Sequence, residues 1–139
     1  MTHLTHRVTT AATSPRTGNR SRRRRIAFTG YSVLLLVIFA LAYLQLIPTT
    51  LRAVPLYDSL GHLILLGIAA WLGRRAWDAR WPVGPLRLPV VPLLVALGAA
   101  AEELAQALSP VRTASWRDLA MSLTGICLGT WLAGRPGSR

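Results

Sequence analysis

The sequence predicts an all-α integral membrane protein: a four-helix transmembrane bundle with both termini inside and a disordered basic N-terminal tail. Three observations carry that expectation. Hydrophobic residues make up 52% of the 139, yet the formal net charge is +11 and the mean hydropathy is +0.39. A chain both this apolar and this basic suits a membrane protein with basic flanks better than a soluble domain. Apolar runs recur at about the length a bilayer requires, and arginines gather in the tail and in alternate loops.

The length leaves room for one domain. Residues 1–25 read as the tail and 26–134 as the transmembrane domain. The tail is rich in Thr, Ser and Arg, ends in Ser21-Arg22-Arg23-Arg24-Arg25, and shows no apolar periodicity, which predicts disorder. Its arginines would lie against anionic lipid headgroups, each worth about 1 kcal/mol near the surface.

The first span is uncharged from Ile26 to Ile47, enough at 1.5 Å per residue to cross a hydrocarbon core of about 30 Å. A competing reading is a cleaved signal peptide, since Ala40-Leu41-Ala42 has the small-residue pattern of a cleavage site. The apolar run continues past it to Pro48, which favours a retained span. The second span is expected from Ser59 to Trp77, with Arg74 and Arg75 snorkelling to the inner interface. The third runs from Val90 to Leu108 and carries Glu102, Glu103 and Gln106 near its far end; the fourth runs from Trp116 to Ala133.

Arginine placement sets the orientation. The tail, Arg74, Arg75, Arg80, Arg87, Arg135 and Arg139 fall on one side, leaving Arg52, Arg112 and Arg117 for the other. Basic loops stay in the cytoplasm, so both termini are expected inside. Trp77, Trp81 and Trp131 then lie near the inner interface, and Tyr57 and Trp116 near the outer one. All 16 basic residues are arginine, a bias of GC-rich bacterial genomes, so the expected location is a bacterial cytoplasmic membrane.

Several function classes fall away. A basic chain can bind nucleic acid through its phosphates, but alternating apolar runs and short arginine loops do not fit that role. The single cysteine, Cys127, lies in an apolar run and implies neither an internal disulfide nor a thiolate metal site. One span-edge histidine with carboxylates is thin for zinc, and no cofactor-binding loop is visible. No metal or cofactor is expected, and oligomeric state is left open.

The remaining ionisable residues converge on the outer end. Asp58 and His62 begin the second span, Glu103 and Gln106 close the third, and Arg112 and Asp118 lie between the third and fourth. A charge in hydrocarbon costs at least about 2.5–3.5 kcal/mol, so these groups should face one another or water, forming an outward-facing polar cup. Asp58 and His62 share a helical face, as do Glu103 and Gln106. Asp118, Ser122, Gly125 and Gly129 form a stripe on the fourth helix, with a GxxxG that permits close helix approach. Bland readings stand beside these. Asp118 has capping-box spacing from Ser115; Arg112 either faces lipid phosphates or clamps an anion. Glu103 either pairs with His62 or Arg112, stays protonated, or acts on a ligand. Glu102 points away from Glu103 and climbs toward the interface.

These residues resemble the VanZ-like membrane proteins. The resemblance rests on Asp58-Ser59-Leu60-Gly61-His62, Glu103-Leu104-Ala105-Gln106, Arg112-Thr113-Ala114-Ser115-Trp116-Arg117-Asp118, and Gly125 with Gly129. It covers roughly residues 30–133. Two positions depart from the family pattern: Ser59 where a lysine is usual, and Ser122 where an asparagine is usual. The resemblance implies an accessory factor that lowers susceptibility to the glycopeptide teicoplanin. Three functions follow as expectations. The cup binds an envelope lipid headgroup, a cell-wall precursor or a glycopeptide-related ligand; or it is a membrane enzyme acting on such a headgroup; or the chain is a structural partner of an envelope complex. An enzyme is the less favoured of these, because no nucleophile is placed.

Overall fold

The computed structural model describes residues 16–46, 56–109 and 114–135. Four helices make up most of it: α1 (Arg16–Tyr43), α2 (Tyr57–Ala76), α3 (Val90–Ala107) and α4 (Trp116–Gly134). Between α2 and α3 lie two short strands, β1 (Arg80–Val83) and β2 (Leu86–Pro89).

Two features differ from the sequence expectation. Helix α1 begins at Arg16 rather than Ile26, so the arginine cluster stands on its first turns. Arginine is a good helix former, and the uncharged run beyond it gives those turns a helix to extend. The loop after α2 is an antiparallel hairpin pairing Arg80 with Pro89 and Val83 with Leu86. Gly84 adopts φ 57° at the first central position of its turn, where a type II′ hairpin requires glycine. Pro85 supplies the fixed φ of the next position.

Helices successive in the chain alternate in direction. Helices α1 and α2 are antiparallel: Phe28 stacks edge-on against Trp77 with centroids 5.4 Å apart, and the Tyr31 hydroxyl donates to the Leu65 carbonyl at 2.9 Å. A Cβ added at Gly73, near the end of α2, would meet Val91 at the start of α3, so those two also run oppositely. Helices α2 and α4 are parallel. Cβ atoms built on Gly125 and Gly129 would fall 2.0 Å from the carbonyl oxygens of Leu63 and Gly67 respectively. Only a missing side chain lets the backbones approach so closely.

The apolar core at mid-height is thin and made largely of small residues: Leu35, Leu66, Ala69, Ala70, Ala99 and Ile126. Larger apolar side chains point outward. Leu36 is 68% exposed, Ile64 52% and Leu94 59%. Helices α2 and α4 likewise turn Leu60, Ile68, Leu123 and Leu128 outward. The stretches Gly18–Tyr43 and Val90–Ala107 are long and apolar enough to cross a membrane.

The alternation gives the bundle two unlike ends. One gathers the starts of α1 and α3, the ends of α2 and α4, and the hairpin. Here Arg74 donates to the Thr130 carbonyl at 2.7 Å, placing a cation at the negative end of α4. Arg25 lies over Trp77, Arg75 over Trp71 and Arg135 over Trp131. The opposite end holds the buried polar groups.

Candidate functional site

Among the described residues six polar ones are buried: Ser59, His62, Glu103, Gln106, Asp118 and Ser122. All sit at the end opposite the arginines, on the first turns of α2 and α4 and the last turns of α3. Gln106 and Ser122 are the most enclosed, each 1% exposed. Buried polar groups must find partners, and the hydrogen bonds here tie three helices together.

The α2–α4 seam has two polar rungs above its glycines. The Ser59 hydroxyl donates to Asp118 Oδ1 at 2.5 Å, a length typical of hydroxyl-to-carboxylate bonds. One turn further along, His62 Nδ1 lies 3.1 Å from Ser122 Oγ. The Ser122 hydroxyl carries one hydrogen and gives it to the Asp118 carbonyl at 2.8 Å. Toward His62 it therefore accepts. That places a proton on Nδ1, and Nε2 makes no hydrogen bond among the described residues.

The start of α4 is capped in an unusual way. Ser115 is the N-cap, and its hydroxyl accepts from the Asp118 backbone N–H at 3.4 Å. In a complete capping box, the residue at position 118 would return a bond to the Ser115 N–H. Asp118 instead takes Ser59, and Glu103 of α3 accepts the Ser115 N–H. The reciprocal half of the box thus comes from another helix. Asp118 and Glu103 both lie at the positive end of the α4 dipole, which favours anionic groups.

Gln106 donates its side-chain amide to Glu102, one turn earlier on α3. Glu102 is half-buried and belongs to the site rather than climbing to the interface. The i, i+4 spacing to Gln106 was the available signal. Asp58 is exposed beside the buried Ser59, so Ser59 rather than Asp58 faces Asp118. His62 is bonded to Ser122 rather than to the carboxylates expected for it. Arg112 lies outside the described residues, and Arg117 is exposed. Among the described residues, no three His, Cys, Asp or Glu side chains gather where they could hold a metal ion.

Ser59 and Ser122 thus occupy the two polar rungs of the seam. The arrangement gathers carboxylates and a histidine ring around the amide end of α4, where hydrogen-bonding groups of a ligand would find partners. Comparison with family models, with curated proteins and with solved structures returns no match for this chain.

Proposed function

We propose that the chain is a four-span protein of the bacterial cytoplasmic membrane, with its arginine-rich end inside and its polar end facing outward. At the polar end it binds an envelope component with a polar or anionic head: a lipid headgroup or a cell-wall precursor. That binding modulates glycopeptide susceptibility, as the resemblance to VanZ-like proteins implies. Asp58, His62, Glu103, Gln106 and Asp118 supply hydrogen bonds, and Arg112 takes the anionic group.

The observation that carries the proposal is the inverted distribution of polarity. Ser59, His62, Glu103, Gln106, Asp118 and Ser122 are inside while Leu36, Ile64, Leu94 and Leu128 are outside. Such an arrangement is costly in water and natural in lipid. The outward faces of α2 and α4 are apolar although their ends are charged, which supports placing all four helices in the bilayer. Teicoplanin susceptibility of a deletion strain, complemented with wild type or Glu103→Ala, tests the proposal. Complementation by wild type alone is the expected result; equal susceptibility of all strains refutes it.

One observation favours a second reading, a membrane enzyme acting on the same headgroup. The Nδ1 of His62 is engaged with Ser122 while Nε2 makes no hydrogen bond among the described residues, which leaves a ring nitrogen for the acid–base role of such an enzyme. Lipid profiles that are identical with and without the protein would exclude it.

A further inference from the structure

The arginine-rich end contains a feature that the outer polar site does not explain. A cavity of about 200 Å³ opens there, lined by Arg24 of α1, Arg74 and Arg75 of α2, Asp78, Arg80 and the last residues of α4. Four guanidinium groups face one carboxylate. Two of the four are already committed. Arg80 donates through Nε and Nη2 to Asp78 Oδ1 at 3.2 and 3.1 Å. Arg74 donates to the Thr130 carbonyl and so offsets the negative end of α4, which would otherwise repel an anion.

Arg24 and Arg75 remain. Among the described residues neither has a carboxylate within ion-pair distance. Arg75 lies with its guanidinium 4.9 Å over the Trp71 ring, which holds its plane while leaving its N–H edges available. Two like charges lining one cavity repel, and an anion between them relieves that repulsion. The planar fork of arginine matches phosphate oxygens in particular. The cavity is smaller than the roughly 300–1,000 Å³ of drug-sized sites, which suits a headgroup rather than a larger solute.

Beside this basic cavity lies an apolar groove of about 500 Å³, lined by Phe28, Trp77, Val90, Val91, Leu94 and Val95. Phe28 follows Arg24 by one helical turn, and Ala79, which also lines the groove, sits between Asp78 and Arg80 of the cavity. A charged pocket and an apolar groove whose linings alternate along the same segments, Asp78-Ala79-Arg80 and Arg24 with Phe28, describe an amphipathic ligand. The ring of Trp71, Trp77 and Trp131 beneath arginines is the arrangement found at headgroup level.

We propose that this end of the bundle binds one anionic phospholipid, its phosphate between Arg24 and Arg75 and an acyl chain along the groove between α1 and α3. The site is distinct from the outer polar end and rests only on the membrane placement of the bundle. Its specificity is for phosphate bearing net negative charge, because a zwitterionic head brings a cation toward Arg24 and Arg75.

The test uses the full chain in nanodiscs of defined phosphatidylglycerol and phosphatidylcholine content, with lipid retention read by native mass spectrometry after detergent extraction. Wild type should retain one phosphatidylglycerol per chain in preference to phosphatidylcholine. Arg24→Gln with Arg75→Gln should lower that retention at least about tenfold, while Arg117→Gln at the far end leaves it unchanged. Leu94→Trp, which fills the groove, should lower it as well. Inorganic phosphate supplies a second arm. Stabilisation by phosphate without selective lipid retention would overturn the lipid assignment in favour of a free anion. Equal retention of the two lipids by wild type would overturn the site itself, and needs no variant to fold. Carbonate-extractable protein in native membranes would instead overturn the membrane placement, so the two failures are separable.

Discussion

Glu103 and Ser115 lie on different helices, yet the Glu103 carboxylate accepts the backbone N–H that opens α4. Few side chains could do this work. An acceptor must reach across from α3, and the Asp118 carboxylate that would serve locally is held by Ser59. The contact fixes where α4 starts relative to where α3 ends, although the residues 110–113 between them are not among those described.

Replacing Glu103 should therefore separate acceptor geometry from charge. Glu103→Gln keeps an oxygen in place, whereas Glu103→Ala leaves a part-buried N–H unpaired, at a cost of about 1 kcal/mol or more. Thermal unfolding in detergent should rank wild type above Gln and Gln clearly above Ala. Equal losses for the two variants would mean that charge, not capping, is what α4 needs.

The glycine seam predicts a sharp contrast among alanine substitutions. At Gly125 and Gly129 a new Cβ meets backbone oxygen at 2.0 Å, while at Gly61 and Gly98 nothing lies within 4 Å. Gly125→Ala and Gly129→Ala should each cost at least about 1–3 kcal/mol, since backbone cannot step aside like a flexible side chain. Gly61→Ala and Gly98→Ala should cost nothing. Folded yield and melting temperature across the four variants check the pattern.

The two polar rungs are expected to be coupled through Asp118, which accepts from Ser59 on its carboxylate and from Ser122 on its carbonyl. A double-mutant cycle on Ser59→Ala and Asp118→Ala should give a coupling of roughly 0.6 kcal/mol, up to about 1.7, the range for polar pairs between membrane helices. Asp118→Ala combined with Gly61→Ala should be additive.

Cys127 reports on the environment of α4. It is a free thiol on the outward face of the helix, and only the thiolate reacts. Under the proposed four-span placement that face meets lipid, so a membrane-impermeant maleimide should leave Cys127 unlabelled in intact membranes and label it in SDS. Rapid labelling in membranes would place α4 in water.

Much of this arrangement was legible in the chain. The bounds of α2, α3 and α4 follow apolar runs closed by Arg, Pro or Trp, and the buried cluster gathers where His62, Glu103, Gln106 and Asp118 were expected to meet. What escaped did so for physical reasons. The start of α1 carries no apolar periodicity, so only propensity marks it as helix. In the hairpin, Trp81, Val83, Leu86 and Leu88 are interleaved with prolines and arginines, which read as a loop until the Gly84-Pro85 turn is given its conformation. Ser59 and Ser122 look featureless in sequence because hydroxyls announce no partner. Their importance depends on α2 and α4 being parallel neighbours, a relationship that no local pattern encodes.

That parallel pairing bears on how the chain is made. Helix α2 emerges from the ribosome long before α4, with the hairpin and all of α3 between them. Until α4 arrives, Ser59 and His62 have neither Asp118 nor Ser122, and the Gly67 face has no opposing backbone. On the four-span placement, α2 must therefore wait at the translocon or at the membrane surface as an incomplete segment. A chain truncated after Ala107 should be a poor membrane protein and a ready substrate for quality-control proteases, even though it retains α1, α2 and α3.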